Sequence, residues 1–400
     1  MAQEFSEAWI VDLGGDVRAN PKLSGTKHNV FGIQTGVAIG FFVKRHGAAA
    51  KKQGCRVFYA RRPEMETAEE KLAFLSGTRA SVLSFEEIRP DAKGNWLNQT
   101  SNDFGELLPI ASKATKFTTK PSQEKSIFKL YSLGISTNRD AWLYADDREE
   151  LAKRLRFFTG HYEAQRVDQN YSSTIKWSRN LKRRFEQGRR EAYEVSRVVR
   201  AAYRPFYSPF LYDSELFIDE GGSKAAMFPL GKSNTSICFS DVGSRTSYVV
   251  LGVGGIADLH FGSSIDAYQQ VPLYRFDEAG NRIENITDWS LDQFRKHYQP
   301  GRGKKAQPIT KEAIFHYVYA VLHDPQYREK YAQNLKREFP RIPLYGDSDA
   351  AFRQWAGWGA ELMQLHIGYE SVAPFALARV DVPDEKARAA GLAPKPALKA

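Results

Sequence analysis

The sequence AWIVDLGG at residues 8–15 decides how the first part of the chain folds. Its first six residues form a short apolar run that two glycines end, which is the pattern of a buried β-strand closing in a turn. Residues 30–43 (VFGIQTGVAIGFFV) and 56–60 (RVFYA) are β-branched and aromatic and predict two more strands, paired as an antiparallel hairpin. Residues 67–75 predict a short helix. Three strands and a helix are only part of an α/β sheet, and they leave one flank unpaired.

A polar stretch separates this region from the rest of the chain. Residues 91–126 are rich in Asn, Ser, Thr, Lys and Gly and contain few apolar positions, which predicts a linker between domains. Residues 1–90 then form a first domain and residues 127–380 a second. Residues 381–400 are rich in Ala, Pro and Lys and predict a loose tail.

The second domain mixes helical and β patterns. Apolar residues recur at helical spacing in residues 146–164 and 178–202, whereas residues 203–276 hold short β runs between Gly, Ser and Pro. Residues 285–370 return to helical spacing. Helices are expected there at residues 291–298, 311–323, 327–339 and 350–369. The predicted fold is an α/β domain with a partial sheet, followed by a mixed α+β domain with a helical C-terminal section.

The composition disfavours several classes of protein. The 400 residues are 42% hydrophobic and 26% charged, which is ordinary globular usage and enough for two or three domains. The longest apolar runs are far shorter than the ~20 residues that span a bilayer, and the N-terminus lacks the layout of a secretory signal. We therefore expect a cytoplasmic protein with no membrane partner. The two cysteines, Cys55 and Cys238, form no C-x-x-C pair, so we expect neither disulfides nor a bound metal.

Positive charge is concentrated in one stretch. The chain has a net charge of +10, and residues 176–204 alone hold ten basic residues against three acidic ones. Arginine suits phosphate oxygens and guanine edges because its planar fork makes paired hydrogen bonds. A solvated helix face, with arginines paired to nearby glutamates, is the open alternative. The candidate DNA-binding residues are Lys176, Arg179, Lys182, Arg183, Arg184, Arg189, Arg190 and Arg204.

Two catalytic motifs are incomplete. A phosphate-binding loop ending at residues 231–233 (GKS) would need a glycine where Ala226 stands, which disfavours nucleotide hydrolysis. The acid-x-Lys triplets at residues 69–71 and 91–93 lack a second acidic residue placed ahead of them on a clear strand, which disfavours nuclease chemistry.

Five stretches resemble a known family. Residues 8–18 (AWIVDLGGDVR) and 28–45 (HNVFGIQTGVAIGFFVKR) resemble the later motifs of amino-group DNA methyltransferases. Residues 203–206 (YRPF), 309–331 (ITKEAIFHYVYAVLHDPQYREKY) and 340–343 (PRIP) resemble the specificity domain of Type ISP restriction-modification enzymes, whose helicase-like, methyltransferase and target-recognition parts share one polypeptide.

The resemblance implies a function for each domain. Residues 1–90 would be the C-terminal part of a Rossmann-like N6-adenine methyltransferase domain, and residues 127–380 a DNA target-recognition domain. The complete enzyme would use S-adenosylmethionine and would act on duplex DNA. Phe31 occupies the position where the family stacks an aromatic side chain on the flipped base, although a core aromatic at the start of a strand is the alternative. Asp12 and Gly14 would lie near the same catalytic edge.

The sequence departs from the family in two places. It contains no Asn/Asp-Pro-Pro-aromatic tetrapeptide and no glycine-rich donor loop after the first strand. We therefore expect that the chain begins inside the methyltransferase domain, that it does not bind S-adenosylmethionine alone, and that the remaining methyltransferase and helicase-nuclease parts act in cis or as a separate subunit. A non-catalytic DNA-binding specificity subunit, and an RNA-binding or phage-defence scaffold, remain as alternatives.

Overall fold

The computed structural model describes most of the chain. The described residues are 4–17, 20, 22–23, 25–45, 55–91, 94–97, 99–100, 102–168, 171–299, 307–376, 378–381, 389 and 396–399. Within these ranges no helix has both the length and the apolar character needed to cross a membrane.

The first domain contains a four-stranded sheet and one helix. Its elements are β1 Glu7–Gly14, β2 Val37–Val43, β3 Arg56–Arg61, α1 Ala68–Gly77 and β4 Glu86–Ile88. The strand order is β2-β1-β3-β4, and β1 runs antiparallel to β2 and parallel to β3. The predicted hairpin of residues 30–43 with 56–60 is therefore wrong, because β1 lies between these two strands. β1 takes the central place since Ala8, Val11 and Leu13 are buried, whereas β2 is largely exposed.

The predicted linker at residues 91–126 is wrong over much of its length. Asp103–Glu106 forms a helical turn, β5 is Leu108–Pro109, and α2 is Lys113–Phe117. Phe104 and Ile110 are fully buried in the core of the second domain. The polar composition of this segment hides the few apolar side chains that anchor it to the domain.

Two four-stranded sheets build the second domain. Its elements before the helical section are β6 Ser132–Leu133, α3 Asp140–Leu143, β7 Tyr144–Ala145, α4 Arg148–Asp168, α5 Arg179–Glu186, β8 Val198–Ala202, β9 Phe210–Tyr212, α6 Lys224–Met227, β10 Ser236–Ser240, β11 Val250–Val253, β12 Ile256–Ala257, β13 Tyr268–Pro272, β14 Tyr274–Phe276 and β15 Arg282–Glu284. The sheets have the orders β11-β10-β13-β6 and β12-β8-β9-β7. β10 and β13 are buried along their whole length and place the first sheet in the core.

The single helix predicted for residues 178–202 is also wrong. α5 ends at Glu186, and the chain turns at Gly188, whose φ of +74° is easily adopted only by glycine. The last five residues of the predicted helix form β8, which pairs antiparallel with β9. The basic stretch is therefore a short helix, a turn and a strand, so its side chains do not share one helical face.

The C-terminal section is helical, as predicted. Its elements are α7 Asp288–Tyr298, α8 Lys311–His323, α9 Pro325–Lys330, α10 Ala332–Leu335, β16 Arg341–Ile342 and α11 Asp349–Ile367. α8 and α11 pack closely at Gly359, where a Cβ atom would lie 1.9 Å from the carbonyl oxygen of His316. The helix predicted for residues 327–339 is divided between α9 and α10.

The predicted loose tail is partly ordered. β17 (Ala378–Asp381) pairs antiparallel with β18 (Pro396–Lys399), so the expectation for residues 381–400 is wrong at these positions. Residues 382–388, 390–395 and 400 lie outside the described residues.

Candidate nucleic-acid interface

Phe31 lies on a turn between β1 and β2, and 73% of its surface is exposed. The side chain of Asn29 holds the backbone of this turn. Its Oδ1 accepts hydrogen bonds from the amides of Phe31 (3.0 Å) and Ile33 (3.4 Å), and its Nδ2 donates to the carbonyls of Thr35 (2.7 Å) and Gly15 (3.3 Å). The ring is therefore held in solvent by a buried amide and is not a core aromatic.

Lys71 fixes the base of the same turn. The fully buried Nζ donates to the carbonyl of His28 at 2.7 Å, and burial lowers the pKa of this ammonium group. Gly15 allows the close approach, since a Cβ there would lie 2.5 Å from the same carbonyl oxygen. The sequence did not predict these roles: Asn29 lies in the stretch 28–45 and Lys71 ends the triplet 69–71, but neither pattern indicates a residue that holds a turn.

Asp12 and Gly14 lie at the carboxyl end of β1. Asp12 Oδ1 accepts from the Gly14 amide at 2.8 Å, and Oδ2 accepts from the hydroxyl of Tyr59 at 2.5 Å. Burial and this hydrogen bond raise the pKa of Tyr59. Arg61 lies 3.6 Å from the same carboxylate. Asp12 therefore organises the sheet edge, beside a 220 Å³ pocket that Trp96 also lines.

The eight predicted DNA-binding residues fall into two groups. Five of them are exposed, namely Lys176, Arg179, Arg183, Arg189 and Arg190. In the described part of the chain, the carboxylates paired with Arg189 and Arg190 lie 3.9 and 3.7 Å away. Among the described residues, no carboxylate pairs with Lys176, Arg179 or Arg183. These three cations remain available to an anionic partner.

Three of the eight residues have internal partners instead. Arg184 donates to the backbone carbonyls of Leu216 (2.9 Å), Ile218 (2.7 Å) and Asp219 (3.0 Å), and burial lowers its pKa. Lys182 lies over a tyrosine ring at 4.5 Å. Arg204 lies outside α5 and forms an ion pair of its own. The structure thus uses Arg184 to fasten α5 to the domain and leaves its neighbour Arg183 in solvent.

A buried ion pair anchors the first turn of α5. Arg139 and Asp219 are almost fully buried, and Arg139 Nη2 lies 2.8 Å from Asp219 Oδ1. Ser178 caps α5 by accepting from the Leu181 amide, and its hydroxyl donates to the same carboxylate oxygen at 2.8 Å. The exposed cations of α5 therefore sit on a rigidly placed helix.

Arg204 lies at a separate cleft of 210 Å³ beside the end of α11. Its Nη1 donates to Asp258 Oδ1 at 2.7 Å and to the carbonyl of Tyr203 at 2.6 Å, and its guanidinium stacks over the Tyr203 ring. The sequence prediction placed Arg204 in the same basic stretch as α5. In the structure Arg204 lies beside residues 252–255 and 366–370 instead. No cluster of three or more metal-ligating side chains occurs in the described ranges.

The family follows from a comparison with known proteins. Residues 126–396 match the model of the Type ISP C-terminal specificity domain. The match spans more than half of the chain, so this protein contains a specificity domain and belongs to that family. The resemblance inferred from its YRPF and PRIP stretches is confirmed. Comparison with curated proteins gives no match.

Three solved structures share the fold. The chain is 38% identical to DrdV in a DNA complex (TM-score 0.77), and the match covers 95% of this chain and 37% of DrdV. It is 24% identical to LlaGI bound to a DNA substrate mimic (TM-score 0.70; 95% and 29% covered) and 24% identical to LlaBIII bound to DNA (TM-score 0.73; 95% and 24% covered). LlaGI and LlaBIII are Type ISP restriction-modification enzymes. The chain thus spans little more than a third of the length of DrdV and less of the other two.

Proposed function

We propose that this chain recognises specific sequences in duplex DNA as the specificity part of a larger adenine-methylating restriction-modification enzyme. The family match at residues 126–396 carries the proposal. The likeness to DrdV in its DNA complex supports it. The remaining methyltransferase and helicase-nuclease parts would act in the same polypeptide or as a separate subunit.

Recognition and base flipping would use different parts of the chain. The exposed cations of α5 would contact phosphates, which sets the register of the protein on the duplex without reading the sequence. Phe31 would stack on the flipped adenine, since an adenine inside the duplex cannot present its amine to a methyl donor. Asn29 and Lys71 would hold the turn that carries this ring.

The binding site of the methyl donor would lie in the remaining methyltransferase part. S-adenosylmethionine supplies the methyl group in such an enzyme. The N-terminus of α1 in the first domain does not fit this donor. At the N-terminus of α1, the Glu70 amide already bonds to the Thr67 hydroxyl and the Thr67 amide to the Glu70 carboxylate. Glu69 adds a second negative charge to this turn, where a donor loop would need glycines and free amides.

Selection from a randomised duplex pool tests the proposed function. We expect the purified chain to enrich one sequence motif and to bind it at least about 10³-fold more tightly than random duplex at physiological salt. Binding to single-stranded RNA of the same length is measured in parallel. Failure to enrich any motif, or tighter binding to the RNA, would contradict the proposal and favour the scaffold alternative.

The salt dependence of binding tests the exposed cations of α5 together with Lys176, which lies just before the helix. We expect the triple variant Lys176→Gln, Arg179→Gln, Arg183→Gln to bind all duplexes more weakly and to flatten the slope of log affinity against log salt by about 0.9 for each phosphate that it no longer neutralises. Sequence preference should survive, because phosphate contacts do not read bases. Arg184 is left in place, since its replacement would leave three backbone carbonyls without their hydrogen-bond donor.

The control is a second triple variant with the same change in charge. Lys113, Lys120 and Arg282 are exposed elsewhere in the chain, and their replacement by Gln should leave the slope near that of the parent. Equal slopes for the parent and the first triple variant would assign α5 and Lys176 to a solvated or interdomain face.

A further inference from the structure

The 210 Å³ cleft beside the end of α11 has a mixed chemical character. Arginines, a histidine, a glutamate and aromatic rings meet there from three distant segments of the chain. Its lining includes Arg200, Arg204, Phe206, His366, Tyr369 and Glu370. Gly252, Gly254 and Gly255 form one wall of the cleft.

Phe206 stands over this cleft in a strained conformation. Its φ is +55°, and among the described non-glycine residues only Asn138 shares a positive φ. Asparagine tolerates this region, whereas a bulky aromatic residue rarely occupies it. The Phe206 ring is half exposed and lies edge-on to His366 at 5.8 Å and to Tyr369 at 5.4 Å. Strain of this kind collects at ligand sites, where it fixes a side chain in place.

A hydrogen-bond chain holds the ring of His366 at the cleft. The buried hydroxyl of Tyr319 accepts from the amide of Gly252 at 2.7 Å and lies 2.5 Å from His366 Nδ1. Burial lowers the pKa of His366 and raises the pKa of Tyr319. The hydrogen bond to the Tyr319 hydroxyl holds the imidazole ring of His366 in place at the cleft.

The two arginines add fixed donors. Arg200 lies over the Phe210 ring at 4.1 Å, and its Nη1 donates to the carbonyl of Ser208 at 2.6 Å. Within the described part of the chain, the side-chain hydrogen bonds of Arg204 use Nη1 alone, so Nε and Nη2 remain available. At the rim, Glu370 supplies an acceptor, and the hydroxyl of Tyr369 bonds weakly to it at 3.3 Å.

We propose that this cleft binds a single guanine base extruded from the duplex. Guanine is the base whose O6 and N7 accept from arginine donors while its N1–H and amino group donate to a carboxylate. Phe206 and Tyr369 supply the stacking surface that an unpaired base prefers. The inference rests on the proposed function, since it takes the guanine from DNA that the chain already binds.

Duplexes with one bulged nucleotide test the cleft without knowledge of the recognition site. An unpaired base is already largely free of the stack, so its extrusion costs little. We expect the chain to bind a bulged guanine about tenfold more tightly than a bulged adenine, cytosine or thymine in the same duplex. The variants Arg200→Gln and Glu370→Ala should each remove most of this preference.

Two matched variants control for charge and stability. Arg282 is exposed and lies over the Tyr274 ring at 4.3 Å, as Arg200 does over its own ring, and Glu361 is exposed on α11. Arg282→Gln and Glu361→Ala should keep the guanine preference. Thermal denaturation of all four variants identifies any that no longer fold, and His366→Phe is a further cleft variant for that case.

Competition with guanosine monophosphate tests whether the cleft also binds guanine from a free nucleotide and not only from DNA. Displacement of bulged-guanine DNA by this nucleotide, but not by adenosine monophosphate, supports the cleft. Equal affinity for all four bulges without such competition overturns it. If fully paired duplex also fails to bind, the proposed function fails as well, whereas binding to paired duplex alone leaves that function intact and rejects only the guanine site.

Discussion

Replacement of Asp219 by Ala is expected to lower the free energy of unfolding by about 3–5 kcal/mol. Asp219 is nearly buried, and its Oδ1 accepts from both Arg139 and the hydroxyl of Ser178, while its Oδ2 accepts from the Asn138 side chain at 2.8 Å. The substitution leaves the fully buried guanidinium of Arg139 without its counter-charge. The loss of stability should be large because an unpaired buried charge retains its desolvation penalty.

Equilibrium urea unfolding measures this change. The control is Glu87→Ala, which removes an exposed ion pair with Arg56 at 2.8 Å and should shift the unfolding midpoint little, since solvent screens such pairs. A midpoint for Asp219→Ala as close to the parent as that of Glu87→Ala would mean that the Asp219 network does not anchor α5.

Replacement of Phe31 by Ala is expected to reduce DNA methylation by about one to two orders of magnitude in the enzyme reconstituted with the remaining methyltransferase part. Stacking of a base on an aromatic ring is worth about 1–3 kcal/mol. Duplex affinity should change little, because the flipped-base contact forms after docking. Stability should also be kept, since 73% of the Phe31 surface is exposed.

Single-turnover methylation and duplex binding are measured on the same preparation. Ile33→Ala serves as the control, since Ile33 is an exposed apolar residue two positions further along the same turn. Methylation at the parental rate would rule out a stacking role for Phe31. A clear drop in thermal stability would restore the alternative in which its ring packs against other residues.

Local patterns in the sequence located several elements well. The apolar run at residues 8–13 is the interior of β1, and the helix expected at residues 311–323 is α8, with Thr310 as its cap. Both signals are strong because a buried element needs apolar residues at nearly every inward position. The wrong predictions at residues 91–126 and 178–202 come from segments whose polar composition matches a linker or a solvated helix, although a few contacts decide their structure.

The sequence likewise showed some features of the candidate sites and not others. The YRPF stretch at residues 203–206 pointed to the family from the sequence alone, and the charge count identified residues 176–204 as a basic region. The sequence could not distinguish Arg183 from Arg184, although only the second reaches the carbonyls around Asp219.

The sequence by itself determined the family, the net positive charge and the buried strands and helices. Each of these depends on composition or on residues close together in the chain. The tertiary structure alone decided which cations face solvent and which residues share a cleft. Arg204 and His366 line one cleft although more than a hundred residues of chain separate them. Such a meeting depends on how β8, β11 and α11 pack, and no local pattern encodes that packing.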